Sequence, residues 1–389
     1  MDFLPRSLGT RPRLACEVRA EGVVAARAED AFAVLSAVSR VPLADQIVIP
    51  RLHADDDPSA PAGVGGDAAG RAAIVAALRK ALEAVALRSR EVTLIVPDAA
   101  VRVLLLDFDE LPAKPVEALP VVRFRLKKLL PFDADDAAVS YQVMATAKGS
   151  LQVLAVAMPH HLLADYESVV REAGFEPGAV LPSTLAALAG LPEQDAPVLV
   201  VNAGRDGVTT AIVKAGVLLL HRTVDLGADL RADMRADAAA AQLAAFAVQA
   251  APAEPEQWPR QEPISFNDRN DAAAAIEASS LAQEIEQQVA QEVAQDRSLT
   301  ETASEVAQAV SVAAAYFEDT LQTPPSVIHA AGTLGAATLA ALLGDAHVGP
   351  LAVQEMLHSQ MLGAGAISAG SPGGVPLGWL TGVRGTLAN

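Results

Sequence analysis

Cysteine, aromatic residues and positive charge are all scarce in this chain of 389 residues, and each shortage excludes a class of protein. The single cysteine, Cys16, rules out an internal disulfide framework and fits a reducing compartment. Lysine and arginine number 29 against 47 carboxylates, a net charge of −18, so the clustered cations that nucleic-acid phosphates require are missing. The one local cationic run, "VVRFRLKKLL" (121–130), stands directly before "PFDADDAA" and reads as a solvated helix face in local charge balance. Long apolar runs are absent too. The opening "MDFLPRSLGTRPRLA" lacks the apolar core of a signal peptide, and no uninterrupted stretch is long enough to span a bilayer. A soluble cytoplasmic protein is expected, one that reaches a membrane only through a partner. With aromatics at 4%, the core falls to Ala, Val and Leu, within an apolar half large enough for two or more domains.

What is present is an alternation of strands and helices, which indicates α/β layers. "RLACEVRA" (13–20), a turn at Glu21-Gly22 and "VVAARAE" read as a hairpin. A loop over 53–70 and a helix over 71–87 follow. Then come strand, turn at Pro97-Asp98 and strand (91–112), a helix over "KPVEALPVVRFRLKKLLPF", and strands at 138–145 and 151–159. A helix ends at Gly174, and Ser183-Thr184 starts the next one. "VLVVNAGRDGVTTAIV" (198–213) is a second hairpin, its turn bracketed by Gly204 and Gly207. The Ala-rich stretch to 250 reads as helical, 251–275 as an acidic, Pro-rich insertion loop, and 281–321 as a long amphipathic helix. "SVIHAAGTLGAATLAALLGD" (326–345) is strand, Gly-containing turn and helix, and the C-terminal segment carries too many Gly and Pro for an amphipathic anchor helix.

Read alone, Gly204 and Gly207 serve a hairpin turn. His160-His161 has no second ligand pair at metal spacing, so no metal site is expected. "GTLGAA" is a poor fragment of a dinucleotide fingerprint, and no phosphate loop ending in Gly-Lys-Ser/Thr occurs. Cys16, inside an apolar strand, reads as inert.

Taken together and in order, the two hairpins "ACEVRAEGVVAA" and "VVNAGRDGVTTAIV" and the late "IHAAGTLGAATLAALL" resemble the two phosphate hairpins and the adenosine turn of actin-like ATPases. Over nearly its whole length the chain resembles the PilM family of actin-like type IV pilus assembly proteins, with the FtsA family more distant. "VVRFRLKKLLPFDADDAAVSYQV", "VLAVAMPHHLLADYESVVREAGFEP", "HRTVDLG" and "AAYFEDTL" support the match.

The resemblance implies a two-lobed actin-like (ribonuclease H-like) α/β fold with an inserted small α+β subdomain. Its boundaries would be 1–90 for the start of the first lobe, 91–150 for the inserted subdomain and 151–195 for the return. The second lobe would cover 196–345, and 346–389 would come back to the first. It also places a degenerate nucleotide site at Glu17, Asn202, Gly204, Gly207, Thr209, Gly332 and Thr333. Arg19 stands where close approach to phosphate wants Gly, Val24 where a Lys falls, Asn202 where an Asp would organise Mg²⁺, and Ala331 replaces one Gly of a pair. Glu21 adds negative charge beside the same anion. No cofactor is therefore expected, and any binding of ATP and Mg²⁺ is expected to be weak.

The implied role is a scaffold without turnover, peripheral at the inner membrane. It would bind the N-terminal cytoplasmic peptide of a PilN-like membrane partner, with other inner-membrane components and self-association as further contacts. The groove for that peptide would lie near Phe124, Leu129, Leu130 and Phe132. The alternative from another class is an actin-fold ATPase or small-molecule kinase, which needs a phosphate-accepting loop and a metal-positioning carboxylate.

Overall fold

The computed structural model describes residues 12–28, 34–44, 47–50, 52, 63–147, 149–192, 194–226, 302–345, 351–363 and 374–388. Residues 1–226 together with 306–389 form one compact unit. The readings for 228–301, including the Pro-rich loop, lie outside the described residues, as does most of the loop at 53–70.

Two five-stranded sheets share one topology. The first is ordered β3-β2-β1-β4-β8, built from β1 (Leu14–Arg19), β2 (Gly22–Ala28), β3 (Leu35–Pro42), β4 (Glu91–Val96) and β8 (Glu176–Pro182). The second is ordered β11-β10-β9-β12-β13, from β9 (Val198–Ala203), β10 (Gly207–Lys214), β11 (Val217–Asp225), β12 (Val327–Ala331) and β13 (Ala352–Glu355). In each, three antiparallel strands continue into two parallel ones. Both predicted hairpins are present, β1–β2 and β9–β10.

A third sheet, β5-β7-β6, is antiparallel throughout and comprises β5 (Arg102–Phe108), β6 (Ala137–Ala147) and β7 (Ser150–Pro159). The strand 91–96, expected inside the inserted subdomain, is instead a central strand of the first sheet. Its residues Val92 to Val96 are buried on both faces, as a parallel strand between layers must be. Conversely, β7 is the central strand of the small sheet, although 151–159 was expected in the return to the first lobe. The strand 352–355 pairs with β12 in the second sheet, although 346–389 was expected to return to the first lobe.

Period-two alternation explains the first core. Leu14, Cys16 and Val18 face helices α1 (Ala68–Val85) and α3 (His160–Glu172), which bury Ile74, Leu78, Leu82, Tyr166 and Val170. Ala15 points the other way, against Leu181, Ala186, Trp379 and Val383. Helix α4 (Ser183–Ala189) bridges the lobes. Its Ala186 and Ala189 pack on the first sheet, and Leu185, Ala187 and Leu188 pack on Val198, Val200 and Ala211 of the second. The other face of the second sheet is covered by α5 (residues 302–321), through Val306 to Phe317, and by α6 (Gly335–Asp345).

The Gly-rich C-terminus forms a buried helix, α7 (Thr381–Leu387), and its glycines are there for proximity. A Cβ on Gly385 would lie 2.0 Å from the Ala186 carbonyl oxygen of α4. Gly385→Ala is therefore expected to lower stability by about 2 kcal/mol in urea denaturation, because backbone atoms cannot yield to it. Gly344→Ala in α6 meets nothing within 4 Å and should be neutral or stabilising. Equal effects of the two would contradict the packing account.

In the inserted subdomain, α2 (Pro115–Leu126) starts on Pro115 and buries Ala118, Val122 and Leu126 at helical spacing over the small sheet. It is shorter than "KPVEALPVVRFRLKKLLPF" suggests. The backbone tightens as Leu129 and Leu130 both donate to the Leu126 carbonyl, and Pro131 follows.

Candidate functional site

The turns of the two hairpins and the turn after β12 meet at one place. Glu21, in the β1–β2 turn, extends its carboxylate across to the second lobe. Its Oε1 accepts from the backbone N–H of Arg205 at 2.6 Å and from the Thr333 hydroxyl. Arg205 in turn donates to the Ala20 carbonyl at 2.7 Å. Gly204 lies directly against this carboxylate, since a Cβ there would sit 3.0 Å from Glu21 Oε1 and 2.9 Å from Thr333 Oγ1. Gly332 is required by its φ of +87° and by space, because a Cβ would come within 2.4 Å of the Ala203 carbonyl. Gly207 closes the second hairpin by accepting from the Gly204 N–H at 3.0 Å, and Thr209 shares a 3.0 Å hydrogen bond with Thr223 on β11.

Behind this bridge lies a buried polar knot. Strand alternation turns Glu17 to the same face as Ala15, where its carboxylate is fully buried. Gly382 of α7 makes room for it, as a Cβ there would lie 2.7 Å from Glu17 Oε2. Glu17 Oε1 pairs with the Arg19 guanidinium at 2.6 Å and accepts from Ser183 Oγ at 2.6 Å. Arg19 also donates to Ser183 Oγ at 2.8 Å and, from the first lobe, to Asn202 Oδ1 of the second at 3.4 Å. Asn202 Nδ2 donates back to Ser183 Oγ and Thr184 Oγ1, both at 2.9 Å. Asp98, after β4, accepts from the Thr184 N–H at 3.0 Å and from its hydroxyl at 2.5 Å.

All seven residues expected at the degenerate site thus lie around this junction. Arg19, Glu21, Asp98, Ser183, Thr184 and Arg205 complete it and were not among them. Ser183-Thr184 signals only a helix start in the sequence, and Pro97-Asp98 only a turn. Val24, where a lysine would fall, is buried on the Ala15 side of the first sheet.

The space left between the lobes is a cavity of about 60 Å³, walled partly by Arg19 and by the carboxylates of Glu21, Asp98 and Asp206. Small-molecule sites run to about 300–1,000 Å³. What remains here has room for a few water molecules. The backbone N–H of Arg205 and the Thr333 hydroxyl, donors that a phosphate would seek at this turn, are already held by Glu21.

Burial governs the ionisation of the knot. Desolvation pushes the Glu17 carboxyl up, opposed by Arg19 and by the Ser183 hydrogen bond. The partly buried His221 on β11 is pushed down by desolvation, with the nearby Asp98 charge opposing, and its Nε2 has no hydrogen-bond partner. These two shifts act oppositely on stability. With His221 depressed in the fold, the unfolded chain takes up the proton first, so stability is lost as pH falls through and below the free value of about 6.5. A raised Glu17 contributes stability in acid that is lost as pH rises. His221→Gln should therefore lessen the fall in stability between neutral and mildly acid pH, by at most about 1.4 kcal/mol per pH unit. Urea melts across that range, wild type against variant, measure it; an unchanged slope would contradict a buried neutral histidine.

The expected peptide-groove residues fall into two pairs. Phe124 is 67% exposed and Leu129 50% exposed, on the outside of the small subdomain. Leu130 and Phe132 are half-buried against its core, and Phe132 also packs on the first-lobe core, so it sits where subdomain and lobe join. Of the cations between them, Arg123 donates to the Ala137 carbonyl at 2.9 Å, and Lys127 pairs with Asp135. Lys128 lies 6.0 Å from the Phe124 ring centre, while Arg125 is exposed. His160 and His161 are exposed at the start of α3, and no group of three potential metal ligands occurs among the described residues. Cys16 is buried and its thiol is pushed up by burial, as befits an inert cysteine.

No protein-family model and no curated protein matches the chain. Among solved structures it is similar to the PilM–PilN type IV pilus biogenesis complex, at 17% identity and a TM-score of 0.56, over 96% of this chain and 99% of that one. Much weaker likenesses are to two other proteins. One is the cytoplasmic domain of EpsL, an inner-membrane component of the type II secretion system of Vibrio cholerae (14% identity, 55% of this chain, 70% of that chain, TM-score 0.35). The other is a Bacteroides thetaiotaomicron protein of actin-like ATPase fold (8% identity, 88% and 89%, TM-score 0.39). With two like-ordered sheets and a three-stranded subdomain inserted in the first, the chain has the two-lobed actin-like fold of PilM.

Proposed function

We propose that this chain is a non-catalytic assembly platform, an actin-like protein with a PilM-like role that works without nucleotide. The observation that carries the reading is the Glu21 carboxylate on the Arg205 N–H and the Thr333 hydroxyl, where an actin-like ATPase would present donors to phosphate. Arg19 reinforces it by filling the space behind with its own guanidinium. An ATPase or kinase needs an open phosphate loop and a carboxylate free to position Mg²⁺. Here Glu17 is paired with Arg19, Asp98 is engaged by Thr184, and Asn202 carries no charge.

The partner surface in this reading is the inserted subdomain, which offers exposed Phe124 and Leu129 beside the junction at Phe132. It would take the short N-terminal cytoplasmic peptide of a PilN-like membrane protein, with apolar side chains as anchors and Arg125 and Lys128 at the rim. No helix among the described residues is long and apolar enough to cross a membrane, so membrane proximity would come through that partner.

Fluorescence anisotropy with the partner peptide tests this. Phe124→Ala should weaken binding about thirtyfold, the equivalent of about 2 kcal/mol for a buried aromatic anchor, with unchanged thermal stability. Phe132→Ala should lower stability as well, because it fills the join between two cores. Lys128→Ala should chiefly alter association rate and salt sensitivity. A folded wild-type protein that ignores such peptides would refute the platform reading.

A further inference from the structure

A second concave surface lies at the far end of the first sheet, away from the Glu21 turn. Residue 13 precedes β1, Arg27 lies opposite Leu14 across the β1–β2 ladder, and residues 86–89 follow the end of α1. Together they enclose a groove of about 790 Å³. Three arginines, Arg13, Arg27 and Arg88, line it, and no carboxylate does so among the described residues. Its apolar part includes Leu14 and Leu87, the latter 77% exposed. Arg27 is held by a 3.2 Å hydrogen bond from Nε to Ser36 Oγ, while Arg13 and Arg88 form no ion pair with a described residue.

Three cations around an apolar floor stand out in a chain whose net charge is −18. Arg13 and Arg88 do not serve local charge balance, and the acidic surface already supplies solubility. Guanidinium groups favour carboxylates, which they meet in paired hydrogen bonds. A long polyanion would meet the repulsion of the whole acidic chain, whereas a short acidic segment feels chiefly the charges within about 10 Å. A bilayer surface is flat on this scale and cannot enter a concave groove. The exposed Leu87 asks for an apolar side chain on the incoming segment. We propose that the groove of Arg13, Arg27 and Arg88 docks an acidic peptide segment of a partner protein, with an apolar residue of that segment seated over Leu87. This site is independent of the platform reading and of the inserted subdomain.

The probe is a fluorescein-labelled peptide of sequence EDLEELD, followed by anisotropy with the full chain, beside vesicles of phosphatidylglycerol and phosphatidylcholine in sedimentation. The peptide should bind, and raising salt from about 0.15 M to about 1 M should weaken it severalfold. Arg88→Glu and Arg13→Glu should each cost about tenfold or more in affinity at unchanged melting temperature. Arg222→Glu, an equal charge change on the exposed face of the edge strand β11, should leave it unchanged. Absence of peptide binding at low salt, or equal binding by Arg88→Glu, would overturn the proposal. So would Arg88-dependent binding of the vesicles alone, which would make the surface a lipid contact instead.

Discussion

Arg19→Ala is expected to lower the stability of the protein by about 3–5 kcal/mol, the cost of stranding a buried carboxylate without its counter-ion. The side chains of Arg19 and Glu17 are only 10% and 0% exposed, so water cannot take over the lost role. The substitution also removes the guanidinium that joins Ser183 on the first lobe to Asn202 on the second. Adding Glu17→Gln to Arg19→Ala should recover part of the loss, because a neutral amide needs no counter-charge. A double-mutant cycle in urea separates the pair from its surroundings. A loss under about 1 kcal/mol for Arg19→Ala would mean that the pair does not lock the lobes together.

Glu21→Ala is expected to cost about 3 kcal/mol, from two charge-assisted hydrogen bonds of about 1.5 kcal/mol each. The larger consequence is a regained preference for anions. Removing the carboxylate frees the Arg205 N–H and the Thr333 hydroxyl and takes one negative charge from the junction. Inorganic phosphate should then stabilise the variant, by about 1.4 kcal/mol at ten times its dissociation constant, and leave the wild type unmoved. Thermal melts with phosphate against chloride at equal ionic strength read this out. If phosphate stabilises neither protein, Glu21 is an ordinary cross-link and not a stand-in for an anion.

Both variants show what local pattern conveys and what it does not. The hairpins at 14–28 and 198–214 follow from β-branched runs and small turn residues, so they and the glycines of the second turn were legible. Glu21 was legible only as a charge that would repel phosphate. Its actual partners, Arg205 and Thr333, stand 184 and 312 positions away, and only the assembled lobes bring them within reach. Likewise Arg19 could be read as an obstacle to phosphate, but not as the hub joining Glu17, Ser183 and Asn202.

Strand membership failed for a related reason. The pattern of 91–96 marks a strand buried on both faces, yet nothing in it says which sheet will bury it. In the C-terminal segment, glycine and proline content argued against an amphipathic helix. It does not reveal that Gly382 and Gly385 let α7 press against Glu17 and α4, a matter of space between distant elements.

The interlobe cleft is filled by the protein's own side chains, and the proposal of a platform that works without nucleotide depends on that filling. Calorimetric titration of the wild-type protein with ATP and Mg²⁺ tests it most directly. No saturable heat is expected up to millimolar nucleotide, because the donors are taken and the cavity is too small. A saturable isotherm with a micromolar dissociation constant would contradict a self-filled cleft.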